Sequence, residues 1–239
     1  MHVAKISRDQ GAGARRADPA RLLTCNSAEP ALSAADSRSK GRAALAALRQ
    51  TMLACQRCAT LVDSRSRVVP GAGEVNASVA FVGLAPGRFG GDRTGIPFNG
   101  DRSGNLLRAM IRMGGLRRVF ITNLVRCNPR DGAGRNRDPS ACEIANCRRY
   151  LDSELALVRP RLVVCLGRIA WRELAGAGTP FNPRQPLIAS ARGLALYPMY
   201  HPAYVVRGAY SAEAYSRDFV HLARMLDTAE GRGGPVTGS

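Results

Sequence analysis

A carboxylate, a cation, an aromatic ring, an amide and a second carboxylate share one glycine-rich segment: Asp92, Arg93, Phe98, Asn99 and Asp101. The segment follows an apolar run, Val79–Val82, and carries Gly83, Gly87, Gly90, Gly91, Gly95, Gly100 and Gly104. An apolar run that ends in glycines reads as a buried strand opening into a loop where backbone approaches a ligand closely. Side chains of these types suit a nucleobase and its phosphates better than a hydrophobic core. Two more polar residues stand at strand ends. Asn123 ends the run Val119–Thr122, and His201 follows Leu194–Met199, with Pro202 fixing the turn.

The cysteines form a second constellation. Cys55 and Cys58 make a CxxC, Cys127 lies in the stretch RCNP, and Cys147 lies on a long helical stretch. Four thiolates of this kind close a tetrahedral zinc site or hold an iron–sulfur cluster, and spacing does not separate the two. Cys142 is an alternative to Cys147. The two are about 140° apart on a helix, so one site would take only one of them. Cys165 sits inside an apolar strand and reads as inert core, and Cys25 reads as incidental.

The elements that must position these residues alternate. Helical patterning covers 41–54, strands cover Val79–Val82 and Val119–Thr122, and a helix capped by Ser103 runs to Met113. A helix follows Pro139 and runs to Val158. Then come a strand at Leu162–Leu166, a helix from Ile169, a strand at Leu194–Met199 and a helix at Ser211–Leu226. Strands separated by helices predict a three-layer α/β/α fold on a central, mainly parallel four-stranded sheet. Ligands of such sheets sit at the carboxyl ends of the strands, where Gly83, Asn123 and His201 fall. Residues 1–40 and 229–239 lack a sustained period and are expected to be flexible tails around a domain at 41–228.

Charge bounds the function. The 239 residues hold 35 Lys and Arg against 18 Asp and Glu, a net charge of +17. Residues 1–45 contribute only a minor part of the excess, so the folded region is itself basic. A polyanionic partner is expected, nucleic acid first. No apolar stretch has the length of a membrane span, and no secretory signal is visible, so a cytoplasmic monomer with no membrane partner is expected. Seven cysteines, an odd count, favour metal or cluster ligation over a disulfide framework.

Together the motifs resemble the uracil-DNA glycosylase superfamily in its iron–sulfur branches. GLAPG at Gly83–Gly87, continuing into RTGIPFNGDRSG at Arg93–Gly104, is similar to the family 5 first motif. HPA at His201–Ala203 is similar to family 4, and ITNLVRCNP at Ile121–Pro129 resembles both. The resemblance covers about residues 50–226 and implies a [4Fe–4S] cluster on Cys55, Cys58, Cys127 and Cys147. It implies excision of uracil, and in the family 5 manner of other deaminated or damaged bases, from single- or double-stranded DNA. Gly83, Ala85, Phe98 and Asn123 would bind the base, with Phe98 stacking on it and Asn123 reading its edge. His201 and Asp92 would be catalytic. The chain departs from the pattern where the family 1 carboxylate falls at Ala85 and the family 4 glutamate at Leu84. That departure leaves Asp92, then Asp101, as the local carboxylates. It also gives weight to a non-catalytic nucleic-acid-binding protein on the same fold.

Overall fold

A computed structural model describes residues 34–183, 188–189 and 194–228. The expected tails at 1–33 and 229–239 lie outside the described residues. Residues 34–40, expected within the first tail, are helical: α1 spans Ala34–Leu53. The elements then run α2 (Ala59–Ser64), β1 (Ala72–Gly73), β2 (Val79–Gly83), α3 (Gly91–Thr94), α4 (Arg102–Met113) and β3 (Val119–Asn123). They continue as α5 (Ala141–Val158), β4 (Leu162–Leu166), α6 (Arg168–Ala175), β5 (Ile188–Ala189), β6 (Ala195–Met199), α7 (Pro202–Val206) and α8 (Ala212–Thr228).

The sheet has the order β1-β3-β2-β4-β6-β5. Its four inner strands are parallel, as the βα alternation predicts. The two edge strands, β1 and β5, are antiparallel additions of two residues each. Two residues show no periodicity, which is why a four-stranded sheet is all that patterning predicts.

Both faces of the sheet are covered, so its strands read as continuous apolar runs. Val79 and Phe81 point into a core with Leu107, Ile111, Tyr215, Phe219 and Leu222 of α4 and α8. Ala80 and Val82 point the other way, to Met52, Leu151 and Leu155 of α1 and α5. This period-two alternation is what makes three layers. No helix among the described residues is long and apolar enough to cross a membrane.

Local chemistry sets the helix starts. Asp101, not Ser103, caps α4, its Oδ1 accepting from Gly104 N–H at 2.7 Å. Both residue types cap well, but only Asp101 takes the extended backbone required at that position. Ser140 and Glu143 form a reciprocal capping box on α5. The strand order turns back at β2, with β3 on one side and β4 on the other. A crevice at the carboxyl ends of β2 and β4 is expected from such a reversal.

Candidate active site

A cavity of about 630 Å³ opens at that reversal. Leu84–Gly87 after β2, Asn123 at the end of β3, and Leu166–Ala170 after β4 form its floor. His201 and Tyr204, after β6, and Phe98 also line it.

Phe98 is held in an unusual backbone state, with φ +49°. A non-glycine residue at positive φ is strained and needs outside support. Arg108 on α4 gives it, donating from Nε to Phe98 O at 2.7 Å and from Nη2 to Pro97 O at 2.8 Å. The ring then lies against Gly83, where a Cβ would come within 2.5 Å of Phe98 Cζ and of Asn123 Oδ1. Glycine at 83 therefore lets ring and amide share one corner of the cavity.

Asn123 is 1% exposed, and its Oδ1 has no hydrogen-bond partner among the described residues. A buried amide oxygen without a partner is costly, and its place on a residue that lines the cavity points to a ligand donor. Behind it is a buried polar network. Arg126 donates from Nη1 to the Asn123 carbonyl and from Nη2 to Glu154 Oε2. Glu154 also accepts from Thr122 Oγ1 at 2.6 Å and from Gly71 N–H at 2.7 Å. Sequence reasoning missed this pair. Its signal was a glutamate on the apolar face of α5, beside Leu151, Leu155 and Val158.

His201 caps α7, its Nδ1 accepting from Ala203 N–H at 3.1 Å. Burial lowers its pKa to about 4, and the Arg207 cation pushes in the same direction. The ring is thus neutral near pH 7 with its proton on Nε2, a fixed donor. Its centroid is 5.5 Å from that of Phe98. The structure therefore brings Gly83, Ala85, Phe98, Asn123 and His201 together.

Asp92, the expected catalytic carboxylate, is not among the residues that line this cavity. The short α3 turns it inward, and it is fully buried. Its Oδ2 pairs with Arg130 at 2.5 Å, and its Oδ1 accepts from Ser66 N–H at 3.0 Å. Those partners are distant in sequence, so residue type suggested chemistry where the fold uses the charge as a tie. The carboxylates that do line the cavity are Asp101 and Asp138. The loop residues Asn128 and Asn136 also line it and were not foreseen. Asn128 donates to Asn136 Oδ1 at 2.9 Å and to Pro86 O at 2.7 Å, fixing the glycine-rich loop.

Away from the cavity, Cys55, Cys58, Cys127 and Cys147 wall one small enclosed space with Met52, Leu61 and Tyr150. Three sulfurs receive N–H donors: Cys127 from Arg65 Nη1 at 3.3 Å, Cys147 from Arg126 N at 3.3 Å, and Cys58 from Asn146 at 3.5 Å. Burial raises the Cys127 thiol to about 11 against the opposing pull of Arg65, and it raises Cys147 as well. Cys142 is exposed and outside this space. Cys165 is buried in β4. Among the described residues no three His, Cys, Asp or Glu side chains are grouped as for a single metal ion.

These features define an α/β protein with a cavity at the sheet's switch point, lined by an aromatic ring, an amide and a neutral imidazole. The chain belongs to the uracil DNA glycosylase superfamily, whose family model matches residues 70–224. It is 38% identical over 182 residues to a type-5 uracil-DNA glycosylase of Pyrobaculum aerophilum, covering 62% of this chain and 78% of the relative. It is 34% identical over 187 residues to a type-4 uracil-DNA glycosylase of Archaeoglobus fulgidus, covering 73% and 89%. A type-5 enzyme of Thermus thermophilus is 35% identical over 156 residues, covering 52% and 69%.

Proposed function

We propose that the protein is a monofunctional uracil-DNA glycosylase, which takes a uracil nucleotide out of DNA and hydrolyses its N-glycosidic bond to leave an abasic site. The observation that carries this is the unpartnered, buried Oδ1 of Asn123, a residue that lines the cavity together with Phe98 and His201. Uracil offers N3–H beside a carbonyl. An amide accepts from the first and donates to the second, a pairing that cytosine's edge does not offer.

Phe98 stacks on the extruded ring, and Gly83 leaves room for it. As the bond breaks, negative charge builds on the base. A neutral His201 donates from Nε2 to a base carbonyl and stabilises that charge without having to lose a charge of its own. The basic surface holds the phosphates and offsets part of the few kcal/mol needed to extrude a base. Asp92 acts as a positioning residue, joining the glycine-rich loop to the segment at Ser66 and to Arg130.

Cys55, Cys58, Cys127 and Cys147 would hold the [4Fe–4S] cluster implied by the superfamily branch, and N–H donors to three of the four sulfurs support that fit. Such a cluster supplies cross-linking here, tying the end of α1 to the loop after β3 and to α5.

The non-catalytic binding reading draws on one observation. The residues that begin the cavity floor are Leu84 and Ala85, with no carboxylate between them. Alkali cleavage of uracil-containing oligonucleotides after incubation with the protein decides between the two. Excision that falls when Asn123 or His201 is replaced supports the glycosylase. Tight, salt-sensitive binding without excision supports the alternative. A panel with hypoxanthine and ethenocytosine defines the range of bases.

A further inference from the structure

The edge strand β1 consists of Ala72 and Gly73 and pairs with β3 alone. Gly73 is exposed. The Glu74 N–H points into the sheet, to Val119 O at 3.2 Å. In a trans peptide the carbonyl points opposite to the N–H, so the Gly73 carbonyl points out from the edge. Neither residue is the proline or lysine that commonly guards such an edge against an incoming strand.

Two clefts flank this strand, one on each face of the sheet, and Ala72 and Gly73 line both. The cleft toward α1 has a volume of about 470 Å³ and carries Arg38, Arg42 and Arg49. The cleft toward α4 has a volume of about 270 Å³ and sets Ile96, Leu116 and Val119 beside Arg112 and Arg117. All five arginines are exposed, and none forms an ion pair among the described residues. The carboxylates in the clefts are Glu74, which is exposed, and Glu154, which is spent on Arg126. No residue of either cleft lines the base-sized cavity.

We propose that this edge docks a partner protein through an extended acidic segment, which adds to β1 as one more strand of the sheet. Side chains of a strand point alternately to its two faces. Carboxylates of one parity would meet the arginines of α1. Side chains of the other parity would cover Ile96, which is 40% exposed, and bring acidic ends to Arg112 and Arg117. Main-chain bonds to the edge supply affinity in this mode, and the flanking clefts supply specificity. A DNA backbone matches the arginines less completely, because its phosphates have no N–H for the Gly73 carbonyl and nothing apolar for Ile96. A second copy meeting edge to edge would set arginines against arginines.

The test uses the full chain and a fluorescent peptide that alternates aspartate with valine, read by anisotropy. Controls are a peptide of the same composition with its aspartates in one block, and two peptides N-methylated on amides of one parity or the other. Arg38→Ala/Arg42→Ala and Arg112→Ala/Arg117→Ala are each expected to weaken the alternating peptide about tenfold, as for the loss of two exposed ion pairs. N-methylation of one parity is expected to abolish binding and that of the other to spare it, because only alternate amides of an added strand face β1. Backbone NMR shifts are expected at residues 70–75. Absence of binding by the alternating peptide, equal binding of the blocked peptide, or indifference to the parity of methylation overturns the proposal. So does full displacement by equimolar uracil-free duplex, which would assign the arginines to nucleic acid, or a dimer of the chain that both double variants dissolve. No arm contains uracil, so the result stands apart from the glycosylase reading.

Discussion

Arg126 and Glu154 meet at 2.5 Å with both side chains 1% exposed, and the same guanidinium holds the carbonyl of Asn123. The residue proposed to read the base is thus fixed through a buried charge pair rather than by packing alone. Removing one member leaves an uncompensated buried charge, which typically costs about 3–5 kcal/mol. Glu154→Ala is therefore expected to lower stability by that order in urea melts. Glu154→Gln, which keeps the shape and can still accept from Thr122, should cost less. It should also raise KM for uracil DNA as Asn123 loosens. A Glu154→Gln protein with wild-type melting and wild-type KM would show that the pair is dispensable.

The inner strands were legible because each is an uninterrupted apolar run bounded by polar or turn residues, and burial on both faces produces that pattern. The site's strand-end residues were legible for the same reason: once the strands are placed, Gly83, Asn123 and His201 must share one edge. Asp92 was not legible. Its type announced chemistry, but its direction depends on Arg130, 38 residues away, and on Ser66. No local spacing encodes such a partner. Glu154 likewise looks like an error on an apolar helix face until Arg126 comes into view.

The tie made by Asp92 separates stability from chemistry. Asp92→Asn removes the charge facing Arg130, whose side chain is 20% exposed and so partly solvated. A loss of about 1–3 kcal/mol in denaturant melts is expected, as for a charged hydrogen bond. Single-turnover excision by the folded fraction should fall less than tenfold. A fall of a thousandfold with unchanged stability would return Asp92 to the catalytic role expected from sequence.

Asn123→Ala would remove both bonds proposed to the base edge. Each is worth about 1–3 kcal/mol when its partner is left buried and unsatisfied. A loss in kcat/KM of at least tenfold to a hundredfold is expected for uracil, with nonspecific DNA affinity unchanged in filter binding or anisotropy. Equal loss of nonspecific affinity would place Asn123 in the backbone-binding surface instead.

His201 makes a pH prediction with a definite sign. Its folded pKa of about 4 lies below the ordinary value of 6.5. Between those two values the unfolded chain takes up a proton that the native ring refuses. Stability therefore rises with pH across this window and is lost as pH falls through it. His201→Gln should flatten that slope in melts at pH 4.5, 5.5 and 7. It should also lower kcat by about 10²–10³, the usual loss of one donor to a developing anion. Wild-type kcat should show no step from this residue between pH 5.5 and 8. A step near 6.5 that vanishes in His201→Gln would mean that the imidazolium is the working form.

Cys142 and Cys147 lie on one helix and separate the possible ligand sets. Cys147 is buried with the other three thiols and receives a backbone N–H from Arg126 at 3.3 Å, whereas Cys142 is exposed and meets only the Asn146 amide, at 3.7 Å. That backbone donor belongs to the residue that also supports Asn123, so a group bound at Cys147 would brace the base-reading corner. Cys147→Ala, purified without oxygen, is expected to lose bound iron and sulfide, the visible absorbance and much of its thermal stability together. Cys142→Ala is expected to keep all three. Chelation of iron from the wild type should reproduce the Cys147→Ala melting profile, because metal binding energy is folding energy at such sites. Zinc without sulfide in the purified protein, or a colourless wild type as stable as before chelation, would reject the cluster. Loss of iron in Cys142→Ala with retention in Cys147→Ala would move the fourth ligand to Cys142.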